Sequence, residues 1–239
     1  MKKLAVFLGG MLLASWAPAA YGAIQISFSV NGGAAAICAT SAISTGPITC
    51  SASGGGATIQ TLSANSNSPG TPGLSQTFGS VLQITSTNAV TLDVWIAAQG
   101  FTTPLAPPSV KFSGSASTTS TTGIGTVAVS HCVDTSNGLP PPTTAFCSTG
   151  FTLPNPIENY GPGASSDSQT SSLLISSLSA PYSLGEHITL TLGANSNLNV
   201  ITSSVLTPVP EPMSIALLGG VLILTSGAIR RKRNQAAKV

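Results

Sequence analysis

Val90-Thr91-Leu92-Asp93-Val94-Trp95-Ile96 decides the fold class. Its apolar residues Val90, Leu92, Val94 and Ile96 take every second position, with Thr91, Asp93 and Trp95 between them. A period of two sends the two sets to opposite faces of a strand, one toward a core and one toward solvent. Ile24, Ile26, Phe28 and Val30 repeat the pattern ahead of an Asn31-Gly32-Gly33 turn, and Ile188, Leu190 and Leu192 repeat it late in the chain. Shorter alternations stand at residues 81–85, 110–112, 127–129, 173–175 and 198–200. Pro and Gly clusters at residues 68–73, 107–108, 140–142 and 161–163 punctuate them. No stretch of residues 23–207 holds an apolar period of about 3.6 for three turns. The expectation is an all-β chain, a single antiparallel β-sandwich (jelly-roll or Ig-like) of about seven to ten short strands over residues 23–207. A solenoid is disfavoured, because the only internal echo is Ala64-Asn65-Ser66-Asn67 in Ala194-Asn195-Ser196-Asn197.

The chain has 239 residues, of which 42% are hydrophobic and 6% charged. An ordinary soluble domain carries about a quarter charged residues, so this surface must be hydrated by other means. Ser and Thr make up about a third of residues 23–207, which suits outward strand positions. Residues 117–122 (STTSTT) read as a flexible or glycosylated loop. The net charge of +2 comes from the ends, Lys2 and Lys3 at one and Arg230, Arg231, Lys232, Arg233 and Lys238 at the other. Between residues 23 and 207 Lys111 faces five carboxylates, a formal charge of −4, and this excludes a basic groove for nucleic acid.

Four cysteines suit an oxidising compartment. Three connectivities are open, and the two local pairs, Cys38 with Cys50 and Cys132 with Cys147, are favoured because each closes a loop rich in turn residues. No Cys-x-x-Cys pair or Cys/His cluster has zinc spacing, so neither a metal nor a cofactor is expected.

The ends carry the most specific signals. Lys2 and Lys3 precede twelve apolar residues (LAVFLGGMLLAS), and Ala20 and Gly22 place small side chains before Ala23. That is a signal peptide over residues 1–22, read by the Sec export machinery and signal peptidase. Near the other end, Met213 to Ile229 (MSIALLGGVLILTSGAI) runs without a charge. A helix of that length spans about 25 Å, enough for one short transmembrane helix, and the basic cluster Arg230, Arg231, Lys232 and Arg233 would stop transfer and stay cytoplasmic. Val209, Pro210, Glu211 and Pro212 stand just before it, and two prolines keep that segment extended.

This order of parts over residues 208–233, followed by a short cytoplasmic end at 234–239, resembles the PEP-CTERM sorting signal of Gram-negative exosortase systems. Such tails are also labelled ice-binding protein C-terminal domains, a label for the tail that says nothing about ice. The resemblance implies that an exosortase removes the tail at or near the motif. The precursor would sit in the inner membrane through its C-terminal helix, with the domain in the periplasm. The processed domain would then reach the cell surface or the extracellular matrix, in association with exopolysaccharide or biofilm.

Evidence for catalysis in residues 23–207 is thin. No serine sits in a Gly-x-Ser-x-Gly elbow, and Gly73-Leu74-Ser75-Gln76-Thr77 lacks the last glycine. Asp134-Thr135-Ser136-Asn137-Gly138 lacks the later acidic ligands of a calcium loop and reads as an Asn137-Gly138 turn. Of the aromatic residues, Trp95 shares a strand face with Asp93 and Thr91, so it is expected to face solvent, where it suits carbohydrate contact. The leading expectation is a non-catalytic exported surface or matrix protein. Its rivals are a carbohydrate-binding module that contacts extracellular polysaccharide, and a secreted hydrolase. The sign of a hydrolase would be a concave site joining His131 or His187 to a serine and a carboxylate.

Overall fold

The computed structural model describes residues 22–42, 46–142, 147–154 and 158–210. Nearly all of the expected signal peptide, Glu211 and Pro212 of the motif, the apolar span and everything after it lie outside the described residues.

Among the described residues thirteen strands follow one another: β1 (Ile24–Val30), β2 (Ala36–Ser41), β3 (Ile48–Gly54), β4 (Ala57–Ser66), β5 (Ser75–Ser86), β6 (Val90–Phe101), β7 (Val110–Thr122), β8 (Gly125–Asp134), β9 (Gly150–Pro154), β10 (Glu158–Tyr160), β11 (Ser165–Ile175), β12 (Tyr182–Leu192) and β13 (Asn197–Pro208). They form two antiparallel sheets packed as a sandwich. Sheet A runs β10-β8-β12-β6-β1-β2, with β9 also beside β8, and sheet B runs β11-β7-β13-β5-β4-β3.

The sandwich is as expected, but its strands are more numerous and much longer. Residues 117–122, read as a loop, form the end of the 13-residue β7. Thr118 and Ser120 point inward and are buried, while Ser117, Thr119 and Thr121 are exposed. The alternation is therefore intact, but hydroxyls occupy both phases and conceal it. The turn at residues 134–137 also precedes the expected Asn137-Gly138 pair by two residues, and Asn137, its last residue, takes the left-handed region (φ 57°). Asn137 spends its side chain on the Gly100 amide, 2.7 Å from its Oδ1.

The core fills the space between the sheets. Val90, Leu92, Val94 and Ile96 of β6 face Val81, Ile84, Leu198 and Val200 of sheet B, all almost wholly buried. Removing such a side chain from water contributes about 1.5–3 kcal/mol each. At one end Tyr182 stacks on Phe101 with ring centroids 5.6 Å apart and donates its hydroxyl to the Thr103 carbonyl at 2.8 Å. Ser75, from the incomplete nucleophile-elbow sequence, bonds that same carbonyl.

Both local disulfides form. Cys38 on β2 and Cys50 on β3, 5.9 Å apart between Cα atoms, join the last strand of sheet A to the last strand of sheet B. Cys132 on β8 and Cys147, 6.2 Å apart, tie the segment after β8 back to the outer face of sheet A. Gln25, whose side chain bonds the Pro140 carbonyl at 3.1 Å, is buried beneath that segment.

Candidate functional site

Three strands of sheet A place their outward residues in one row, because Trp95 registers with Ser27 on β1 and with His187 on β12. Asp93, two residues earlier, registers with Thr189. Trp95 is half-buried and stacks on the His187 ring with centroids 4.8 Å apart and planes 8° from parallel. Its outward orientation is as expected, although one neighbour already occupies its side. His187 Nε2 lies 2.9 Å from Asp93 Oδ1, and Thr189 donates its hydroxyl to the same oxygen at 2.8 Å. Thr189 also lies 3.3 Å from that Nε2. In a nucleophile relay the carboxylate holds one imidazole nitrogen and the nucleophile meets the other. Here Asp93 and Thr189 both meet Nε2, which fixes the orientation of the His187 ring beside Trp95.

A second polar cluster was missed by sequence reasoning, and it lies inside the sandwich. Glu186 and His131 are cross-strand partners on β12 and β8, and both point inward. The Thr202 hydroxyl on β13 donates to Glu186 Oε2, while Oε1 has no partner. Ser204 Oγ lies 3.0 Å from His131 Nδ1 and 3.3 Å from the Gly185 carbonyl. Serine, histidine and carboxylate do meet here, the sign set for a hydrolase. Yet all three side chains are 0% exposed, sealed between the sheets, and no substrate can reach them.

Burial governs the chemistry of this cluster. It pushes the Glu186 carboxyl up to about 8, against the pull of the neighbouring Thr202 and Ser204 hydroxyls, so the side chain is largely a neutral acid at pH 7. It lowers His131 to about 4, leaving a neutral imidazole. Neutrality removes most of the cost of placing two titratable groups in a core.

Two glycines make room for the pair. A Cβ on Gly114 of β7 would fall on the His131 ring, and one on Gly79 of β5 would meet Ile96 and stand 2.8 Å from Glu186 Oε2. The readable signal was this phase: His131 and Glu186 each occupy the inward position of an alternating strand, among Val127, Val129 and Val133 or Leu184, Ile188 and Leu190. Gly114→Ala is expected to lower stability by about 1–3 kcal/mol through overpacking, read as a lower midpoint in urea unfolding. An unchanged midpoint would mean that the ring has room to swing away.

Asp134, the head of the faint calcium-loop sequence, is 3% exposed. Its Oδ1 accepts from the Ser136 amide at 2.8 Å, the Ser136 hydroxyl at 2.7 Å and the Thr149 hydroxyl at 3.0 Å. It pins the loop that Cys147 closes. Among the described residues no three His, Cys, Asp or Glu side chains gather in a way that could hold a metal ion.

No protein-family model and no curated protein matches the chain. Among solved structures it is similar to the carbohydrate-binding module TmCBM61 in complex with β-1,4-galactotriose. The identity is 5%, the match covers 61% of this chain and 87% of that one, and the TM-score is 0.30.

Proposed function

We propose that the chain is an exported, non-catalytic surface or matrix protein, delivered by a signal peptide and sorted by an exosortase that removes its C-terminal tail. The carrying observation is the run from Val209-Pro210-Glu211-Pro212 through an uncharged span to Arg230-Arg231-Lys232-Arg233. The position of the motif on the domain supports this reading. β13 ends at Pro208, and the Val209 amide bonds the Ser109 carbonyl at 2.8 Å. A cut at the motif therefore leaves every strand of the sandwich complete. The sealing of the serine, histidine and carboxylate in the core supports a domain without catalysis.

Deleting the exosortase in the producing bacterium and immunoblotting cell fractions tests the sorting. The expected result is a protein heavier by the tail and retained in the inner membrane. Unchanged size and location would overturn the reading. A chain ending at Pro210 is expected to keep the two-sheet fold, whereas deleting residues 197–208 takes away the strand between β5 and β7 and abolishes cooperative unfolding by circular dichroism.

A second reading, contact between Trp95 and extracellular polysaccharide, is favoured by the partial exposure of that ring on an open sheet face. Titrating the host polysaccharide while following Trp95 fluorescence tests it. A flat response opposes it.

A further inference from the structure

Neither the terminal signals nor Trp95 accounts for the outer face of sheet B. There β7 and β13 lie side by side, and two open cavities of about 330 and 450 Å³ follow one another along the pair. Lys111, Ser115, Thr170 and Ser203 line the first, and Thr119 and Ile201 line the second. Ser203 of the first and Ile201 of the second are successive outward residues of β13, so the two lie in line on this face. From Lys111 to Thr119 the strand between them extends for about 26 Å at about 3.3 Å per residue.

The chemistry of this face is specific. Two of its hydroxyls hold each other in place, Ser115 Oγ and Ser203 Oγ lying 2.7 Å apart across the strands. Phe78, the register partner of Ser203, is 41% exposed, and Ile201 is 55% exposed. Lys111 is the one Lys or Arg among the described residues, is exposed, and makes no ion pair among them. In a domain of formal charge −4 it marks the one place where an anion is met by a cation.

A protein partner would require a contiguous apolar centre, and here the apolar side chains are interleaved with hydroxyls. Immobilised hydroxyls, isolated apolar faces and a single cation match a sugar polymer, which presents hydroxyls, C–H faces and a sparse negative charge. We propose that this face binds an acidic, uronate-bearing polysaccharide along β7 and β13, with a carboxylate at Lys111 in the first cavity and a sugar ring against Phe78, across the strands from Ser203. This goes beyond the sorting reading and is tested apart from it, in vitro.

The test titrates the full chain in detergent micelles with hexamers of galacturonate and of mannuronate, and with cellohexaose as the neutral control, by calorimetry at low salt. At least one uronate hexamer is expected to bind saturably, with cellohexaose about three- to tenfold weaker. Lys111→Gln should erase that preference and Phe78→Ala should weaken all binding, both at unchanged unfolding temperature. Trp95→Ala should bind as the parent does. Failure of both uronate hexamers to bind, equal affinity for cellohexaose, indifference to Lys111→Gln or Phe78→Ala, or loss of binding in Trp95→Ala would each overturn the proposal. None of these outcomes bears on tail removal, which is read in cells.

Discussion

A Glu186→Gln variant is expected to hold its unfolding temperature between pH 6.5 and 8, while the parent loses about 4–8 °C across that interval. The folded parent keeps the Glu186 proton up to about pH 8, whereas the unfolded chain releases it near 4.5. Across that window the folded state binds more protons, so stability falls as pH rises, by about 1.4 kcal/mol per unit. His131 acts in the opposite sense. Between about 4 and 6.5 the unfolded chain protonates it and the folded chain does not, so its contribution rises with pH. From 4.5 to 6.5 the two slopes offset each other and stability is nearly flat. Above 6.5 only the Glu186 slope remains, for a loss of about 2 kcal/mol by pH 8. Glutamine keeps the shape and cannot ionise, so it removes that loss. A parent whose midpoint rises between pH 6.5 and 8 would show that Glu186 is already ionised in the fold.

Replacing Cys38 and Cys50 together by serine is expected to lower stability by about 3 kcal/mol, or about 6–12 °C in unfolding temperature. Little else fixes the strands that this bridge joins. β2 has no buried residue along its six positions, and β3 has Ala52 alone. Both are outer strands of their sheets, so the bridge acts as a clasp between layers that share few apolar contacts at that side. Amide exchange gives the sharper test. Protection should collapse over residues 36–41 and 48–54 first, while β6 and β12 keep theirs. Uniform loss across the sandwich would mean that the bridge acts on the whole fold.

The sequence was most legible where the two phases of a strand differ in kind. β6 and β12 announce themselves because Val, Leu and Ile alternate with Thr, Asp and His. β7 does not, because Thr118 and Ser120 bring hydroxyls into the inward phase that an apolar residue would normally hold. The cysteine pairing was readable from spacing, but its bridging of two sheets was not, because residues adjacent in the chain belong to different layers. Trp95 was placed on the correct face, and its stack on His187 requires the cross-strand register that the chain alone does not disclose. The buried pair shows a different limit. His131 was legible only as one member of a possible concave site, while the phase of the alternation at His131 and Glu186 already points both side chains inward. Gly79 and Gly114 are the confirming marks, small residues in mid-strand where two titratable side chains need space.

The position of β13 between β5 and β7 also governs when this domain can come into being. Until residues 197–208 emerge, the second layer consists of two separate pieces, β11 with β7 and β5 with β4 and β3, and neither can cover the first layer. Closure of the sandwich is therefore non-local and waits on β13, and a chain held short of residue 197 would stay open and aggregation-exposed.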